Sequence, residues 1–178
     1  MERLLKIFAA LRRMFESTTW KWFQPKGWKD LPDIDKWDDI KDLSPEEYSK
    51  VLNKYEYKYD KIQGLLDNTQ PVDEPQYFFK DLTTDRDCDN WARQWVIYYR
   101  YHKKPIQEWI VTNKKHPFTK SHLVAVVNEG DGWRLLNYHR SPNVYETVEE
   151  ALGELNRSKS YPDSERIQAL YRDWPVEE

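Results

Sequence analysis

The chain has 178 residues, enough for one domain with a real core and too few for two of ordinary size. Aromatic residues make up 15% of it, including nine Trp and twelve Tyr, so burial area is ample and disorder throughout is excluded despite 33% charged residues. A net charge of -3 gives no global basic field to draw nucleic acid or an anionic membrane, and a single cysteine, Cys88, excludes an intrachain disulfide and fits a reducing compartment.

Residues 2–16 place Leu4, Ile7, Phe8, Leu11, Met14 and Phe15 on one helical stripe, with Arg3, Lys6, Arg12 and Arg13 largely outside it. The stripe is expected to pack on the protein's own core or on a second copy, so residues 1–16 are a candidate self-association or partner surface; a membrane surface is the alternative. The apolar stretch from Ile7 to Leu11 is short, is closed by Arg12 and Arg13, and has no convincing cleavage site for a signal peptide. No run reaches the roughly 18 apolar residues that span a bilayer, and the expected location is the cytoplasm.

From Trp20 to Asp42 the pattern loses periodicity, with Pro25, Gly27, Pro32 and six Asp between Asp30 and Asp42. It reads as a connecting segment pinned to a surface by Trp20, Trp22, Trp28 and Trp37. Ser44-Pro45-Glu46-Glu47 is a helix start: Ser44 caps, Pro45 suits the first helical position, and Glu47 reaches back. Tyr48, Val51, Leu52, Tyr55, Tyr59, Ile62, Leu65 and Leu66 then predict one long helix, ended by the polar and proline residues from Asn68 to Pro75.

A second helix is expected from Asp87 or Cys88 to about Tyr101, with His102, Lys103 and Lys104 at its negative end and Pro105 stopping it. Three strands follow, roughly Gln107 to Thr112, His122 to Asn128 and Trp133 to Tyr138, the last two joined by the turn Glu129-Gly130-Asp131-Gly132. Thr147 and Glu150 form a further capping box opening a helix to about Asn156, and the tail from Tyr161 to Trp174 reads equally as helix or strand.

A lone cysteine is more often a small buried hydrophobe than a nucleophile, so its surroundings decide. Cys88 falls in the first turn of a helix, where the dipole favours a thiolate by about 0.3–2 kcal/mol. That lowers a thiol pKa by only about one unit. Asp85, Asp87 and Asp89 oppose the thiolate, so an imidazolium partner becomes a requirement. His122 is the candidate base. Pairing Glu129 with Gly132 puts Val124 opposite Asn137, and alternation then sets His122 and Asn137 on one side as diagonal neighbours. Asn137 is thus placed to orient the ring; a one-residue slip would separate the two.

Asp87-Cys88-Asp89-Asn90-Trp91-Ala92 resembles the cysteine motif of transglutaminase-like cysteine peptidases, in which an Asp-Cys pair and an acidic residue open a helix. Ser121-His122-Leu123-Val124-Ala125-Val126-Val127 resembles their histidine strand, and Trp133-Arg134-Leu135-Leu136-Asn137 the strand ending in their third catalytic residue. The resemblance covers about residues 76–140. It implies an α+β, papain-like (transglutaminase-like) core over residues 76–178, with a cysteine helix packed on a small antiparallel sheet. Residues 1–75 would add N-terminal helices and the Trp/Asp-rich segment to one compact unit.

The implied activity is acyl transfer through a thioester: a cysteine peptidase or amidase with Cys88, His122 and Asn137 as its triad, a protein or peptide as substrate, and neither cofactor nor metal. Such small proteins also occur in phages, which makes host cytoplasm or virion the expected setting. Arg86 and Ser121 stand where the family often has Gly, and Asn137 where transglutaminases have Asp; an amide orients an imidazole without stabilising its charge. The Cys88 amide supplies one oxyanion donor, and Gln76 is the candidate for a second, though a surface-loop role suits it better.

Three alternatives stand beside this. His122 and His139 facing each other near Cys88 would make a metal site with Asp87 or Asp89, but structural zinc recruits more sulfur. A cell-wall peptidase with Asp-Cys-Ser-Gly at the helix start fits less well, because Asp89-Asn90-Trp91 departs from it. From another class, a protein that keeps the fold without turnover would serve as a phage structural or host-interaction protein. His102 and His116 read as a helix-end cation and a loop residue.

Overall fold

In the computed structural model the described residues are 3–11, 36–55, 78–79, 87–115, 121–157 and 164–176. Helix α1 covers residues 3–11, α2 is Lys36–Ile40, α3 Pro45–Leu52 and α4 Cys88–Tyr101. Strands β1 (Ile106–Asn113), β2 (His122–Asn128) and β3 (Trp133–Leu136) follow, then α5 (Val148–Gly153) with a 3-10 turn at Glu154–Arg157, and β4 (Arg166–Trp174). The strands form one antiparallel sheet in the order β3-β2-β1-β4. This is an α+β arrangement. No described helix is long and apolar enough to cross a membrane.

The β2–β3 turn fixes the register on which the histidine–asparagine pairing depends. Glu129 N–H donates to Gly132 O at 3.3 Å, and Ala125 lies opposite Leu136, so Asn128 and Trp133 close the hairpin as the sequence predicts. Gly132 has φ +137°, and a Cβ there would meet Tyr145 O and Val144 Cγ1 at 2.7 Å, so only glycine fits. Along β2, Leu123, Ala125 and Val127 pack toward α4, while Val124 and Val126 join a separate cluster with α5.

Helix α4 starts as expected. Asp87 is the N-cap, its side chain accepting from Asp89 N–H at 3.4 Å while Asn90 Oδ1 accepts from Asp87 N–H at 3.2 Å. Every residue from Asp89 to Tyr99 is buried. Burial includes Arg93, which pairs with the fully buried Glu108 of β1 at 3.3 Å; Trp174 Nε1 donates to the same carboxylate at 3.0 Å.

Several expectations change. In α1 the residues that pack are Leu5 and Ala9, against Ala92, Ile110, Leu123, Ala169 and Tyr171, whereas Leu4, Ile7, Phe8 and Leu11 are exposed. Periodicity finds a stripe but not which face docks; here small Ala side chains on both sides allow close approach. Residues 36–40 of the acidic segment form α2, with Ile40 buried and Trp37 half-buried against α3 and α4. The long helix stops at Leu52, where Lys54 N–H to Val51 O and Tyr55 N–H to Leu52 O tighten the last turn. Tyr55 still packs, against Phe78 and Phe79. The tail is a strand at the sheet edge, and the segments predicted at 12–35 and 56–75 lie outside the described residues.

Removing one partner from a buried ion pair leaves the other charge uncompensated. Glu108→Ala is therefore expected to destabilise the protein by about 3–5 kcal/mol, read from urea unfolding; a loss under ~1 kcal/mol would show that Arg93 does not need this carboxylate.

Candidate active site

Cys88 is the first residue of α4 and is half-buried, packed beside Ala92, Leu123 and Tyr171. His122 is the first residue of β2 and buried. The two lie at the same end of the helix–sheet layer. Tyr99 and Lys104, at the far end of α4, reach Glu129 just beyond the other end of β2.

Asn137 follows β3 directly. The strand is two residues shorter than predicted because the chain bends here: Asn137 N–H donates to His139 O at 3.2 Å, and Trp95 Nε1 of α4 donates to Asn137 O at 3.2 Å. The helix thus holds the asparagine backbone. Asn137 Oδ1 lies 2.8 Å from His122 Nε2. An amide oxygen accepts, so Nε2 carries the hydrogen and Nδ1 is the basic nitrogen of the neutral ring.

Tyr138 is the residue sequence reasoning missed. Its ring is 5.6 Å from the His122 ring and 6.0 Å from Trp91 on α4, so it links the histidine to the helix that bears the thiol. Its strand alternation gives no signal, because the strand ends before it. Phe78 completes the aromatic run at 5.2 Å from Trp91. Asn90 Nδ2 and Trp91 Nε1, both in the first turn of α4, are buried without a hydrogen-bond partner among the described residues. Gln76, Asp85 and Arg86 lie outside the described residues.

The electrostatics divide. Cys88 Sγ and a carboxylate oxygen from each of Asp87 and Asp89 lie within 4.8 Å of one another. At that distance each carboxylate opposes a thiolate by about 1–3.5 kcal/mol for effective dielectrics of ~80 to ~20, which outweighs the helix dipole. A thiolate there would need a nearby cation to offset the difference. Burial pushes the His122 pKa down, partly offset by the Asn137 contact, which raises it. At neutral pH the ring is then neutral and able to accept a proton.

The same three side chains are the one group among the described residues with donors close enough for a cation. One sulfur and two hard oxygens from consecutive residues fall short of the tetrahedral nitrogen and sulfur set of structural zinc. The expected facing of His122 and His139 does not form: the bend at residues 137–139 leaves His139 exposed. His102 is the helix cap, its Nε2 2.8 Å from Lys41 O, and His116 lies outside the described residues.

Compared with family models, curated proteins and solved structures, the chain matches none.

His122 is expected to titrate below the ordinary histidine value of ~6.5. A lowered folded pKa means the unfolded chain binds more protons in that window, so the stability His122 contributes is full above ~6.5 and is lost as pH falls through the folded value. Asn137→Ala should lower the pKa further. Imidazole NMR titration of both proteins checks this, and an unchanged value in the variant would deny the contact its effect.

Proposed function

We propose that the protein is a thiol-dependent acyl-transfer enzyme, a cysteine peptidase or amidase of papain-like (transglutaminase-like) construction acting on a protein or peptide. The observation that carries this is the 2.8 Å contact between His122 Nε2 and Asn137 Oδ1, at the end of the sheet where α4 begins with Cys88. It assigns the proton to Nε2 and leaves Nδ1 as base.

In the proposed reaction His122 Nδ1 takes the Cys88 proton, and the thiolate attacks the carbonyl carbon of an amide. The resulting oxyanion accepts from the Cys88 backbone N–H at the helix start. As the C–N bond breaks, the imidazolium returns its proton to the leaving amine, and a thioester remains. Water or a second amine then completes hydrolysis or transfer. Proton transfer requires Sγ and Nδ1 to approach to about 3–4 Å.

The proximity of Asp87 and Asp89 to Sγ favours a second reading, in which the same fold serves without turnover as a structural or host-interaction protein. Thiol reactivity separates the two. Cys88 is expected to react with iodoacetamide near neutral pH at least about tenfold faster than a free thiol, and His122→Ala to remove the acceleration. Asn137→Asp should keep it and Asn137→Ala weaken it. A folded protein whose Cys88 is no faster than a free thiol would sink the enzyme reading.

A further inference from the structure

The last turn of α4 and the end of β4 close around a cavity of about 230 Å³ lined by Arg100, Lys103, Lys104, Trp174, Pro175 and Val176. Among the described residues that line it, half are cations and none is an acid. The cavity is smaller than a drug-sized ligand needs, so a compact ion suits it better than a macromolecular segment.

Its floor is built rather than incidental. The guanidinium carbons of Arg100 and Arg172 lie 4.4 and 5.6 Å from the Trp174 ring centroid. The indole is held by its hydrogen bond to Glu108 Oε2, a carboxylate buried on Arg93. Lys103 adopts φ 52°, a left-handed conformation uncommon outside glycine. Lys103 N–H to Arg100 O at 3.0 Å and Lys104 N–H to Tyr99 O at 2.9 Å hold the turn that presents both lysines.

A helix C-terminus attracts cations, but its dipole amounts to about half an elementary charge, less than the three lining cations. Among the described residues the neighbouring carboxylates are engaged elsewhere. Glu108 serves Arg93 and Trp174, while Glu129 serves Arg134, Arg140 and Tyr99; Lys104 Nζ donates to the backbone oxygen of Glu129 at 3.2 Å. Asp173 alternates to the opposite side of β4 from Trp174.

We propose that this cavity binds a small oligophosphate, with Arg100, Lys103 and Lys104 supplying charge-assisted hydrogen bonds to its oxygens. A monocarboxylate would neutralise one of these cations; adjacent phosphoryl groups carry the several charges the cavity gathers. The site lies about 20 Å along α4 from Cys88 and does not depend on thiol chemistry.

Isothermal titration of the full chain with inorganic pyrophosphate, and separately with acetate, tests this at low salt. Saturable one-to-one binding of pyrophosphate and none of acetate is expected. Lys103→Gln combined with Lys104→Gln should weaken it by about tenfold or more, whereas Lys114→Gln with Lys115→Gln, exposed lysines elsewhere, should leave it unchanged. No saturable binding, equal binding of acetate, affinity that survives the first pair of substitutions, or an equal loss from the second pair would each overturn the proposal.

Discussion

Helix α4 bears the thiol at its first residue and is buried from Asp89 to Tyr99, so its seating on the sheet sets every distance that matters. Trp91, Trp95, Tyr98 and Tyr99 supply the apolar area, and the Arg93–Glu108 pair permits only one registration of helix on β1, since any slide would bury two unpaired charges. The same helix reaches across to β3, where Trp95 holds the Asn137 carbonyl. Cys88, His122 and Asn137 therefore answer to one rigid element.

Much of this is legible in residue order. The capping box at Asp87, the hairpin glycines and the alternation of β2 are local signals, and each has a local physical cause that tertiary packing does not override. The diagonal approach of His122 and Asn137 is legible in the turn length, which sets the β2–β3 register as far as Ala125 and Leu136, and the bend at Asn137, held by Trp95, completes it. What is illegible depends on partners far along the chain. Leu5 and Ala9 are chosen over the stronger apolar stripe of α1 because Ala92 and Ala169 leave room for them, and those residues lie between 83 and 164 positions away in sequence. Likewise β4 becomes a strand because β1 offers it an edge. Tyr138 escapes notice because its contact with His122 arises in a bend, where no periodicity applies.

Around Cys88 two tendencies meet. The carboxylates of Asp87 and Asp89 are consequences of the helix start: Asp87 caps it and Asp89 lies in its first turn, both favourable for the dipole. They are unfavourable for a thiolate. Burial favours the neutral form of His122, able to accept a proton, and in the proposed reaction the imidazolium formed would offset the carboxylates only if it stays beside the sulfur. The proposed acyl transfer therefore needs a coupled thiol–imidazole pair, in which the thiolate forms as the imidazole takes its proton.

The ultraviolet absorbance of the Cys88 thiolate as a function of pH, in the native protein and in His122→Ala, tests that coupling most directly. The account predicts a thiolate forming below the free-cysteine value of ~8.5 in the native protein, with the transition moving to or above ~8.5 when the imidazole is removed. A thiol that ionises above ~8.5 in both proteins would contradict it, because the carboxylates would then govern Cys88 and His122 would not.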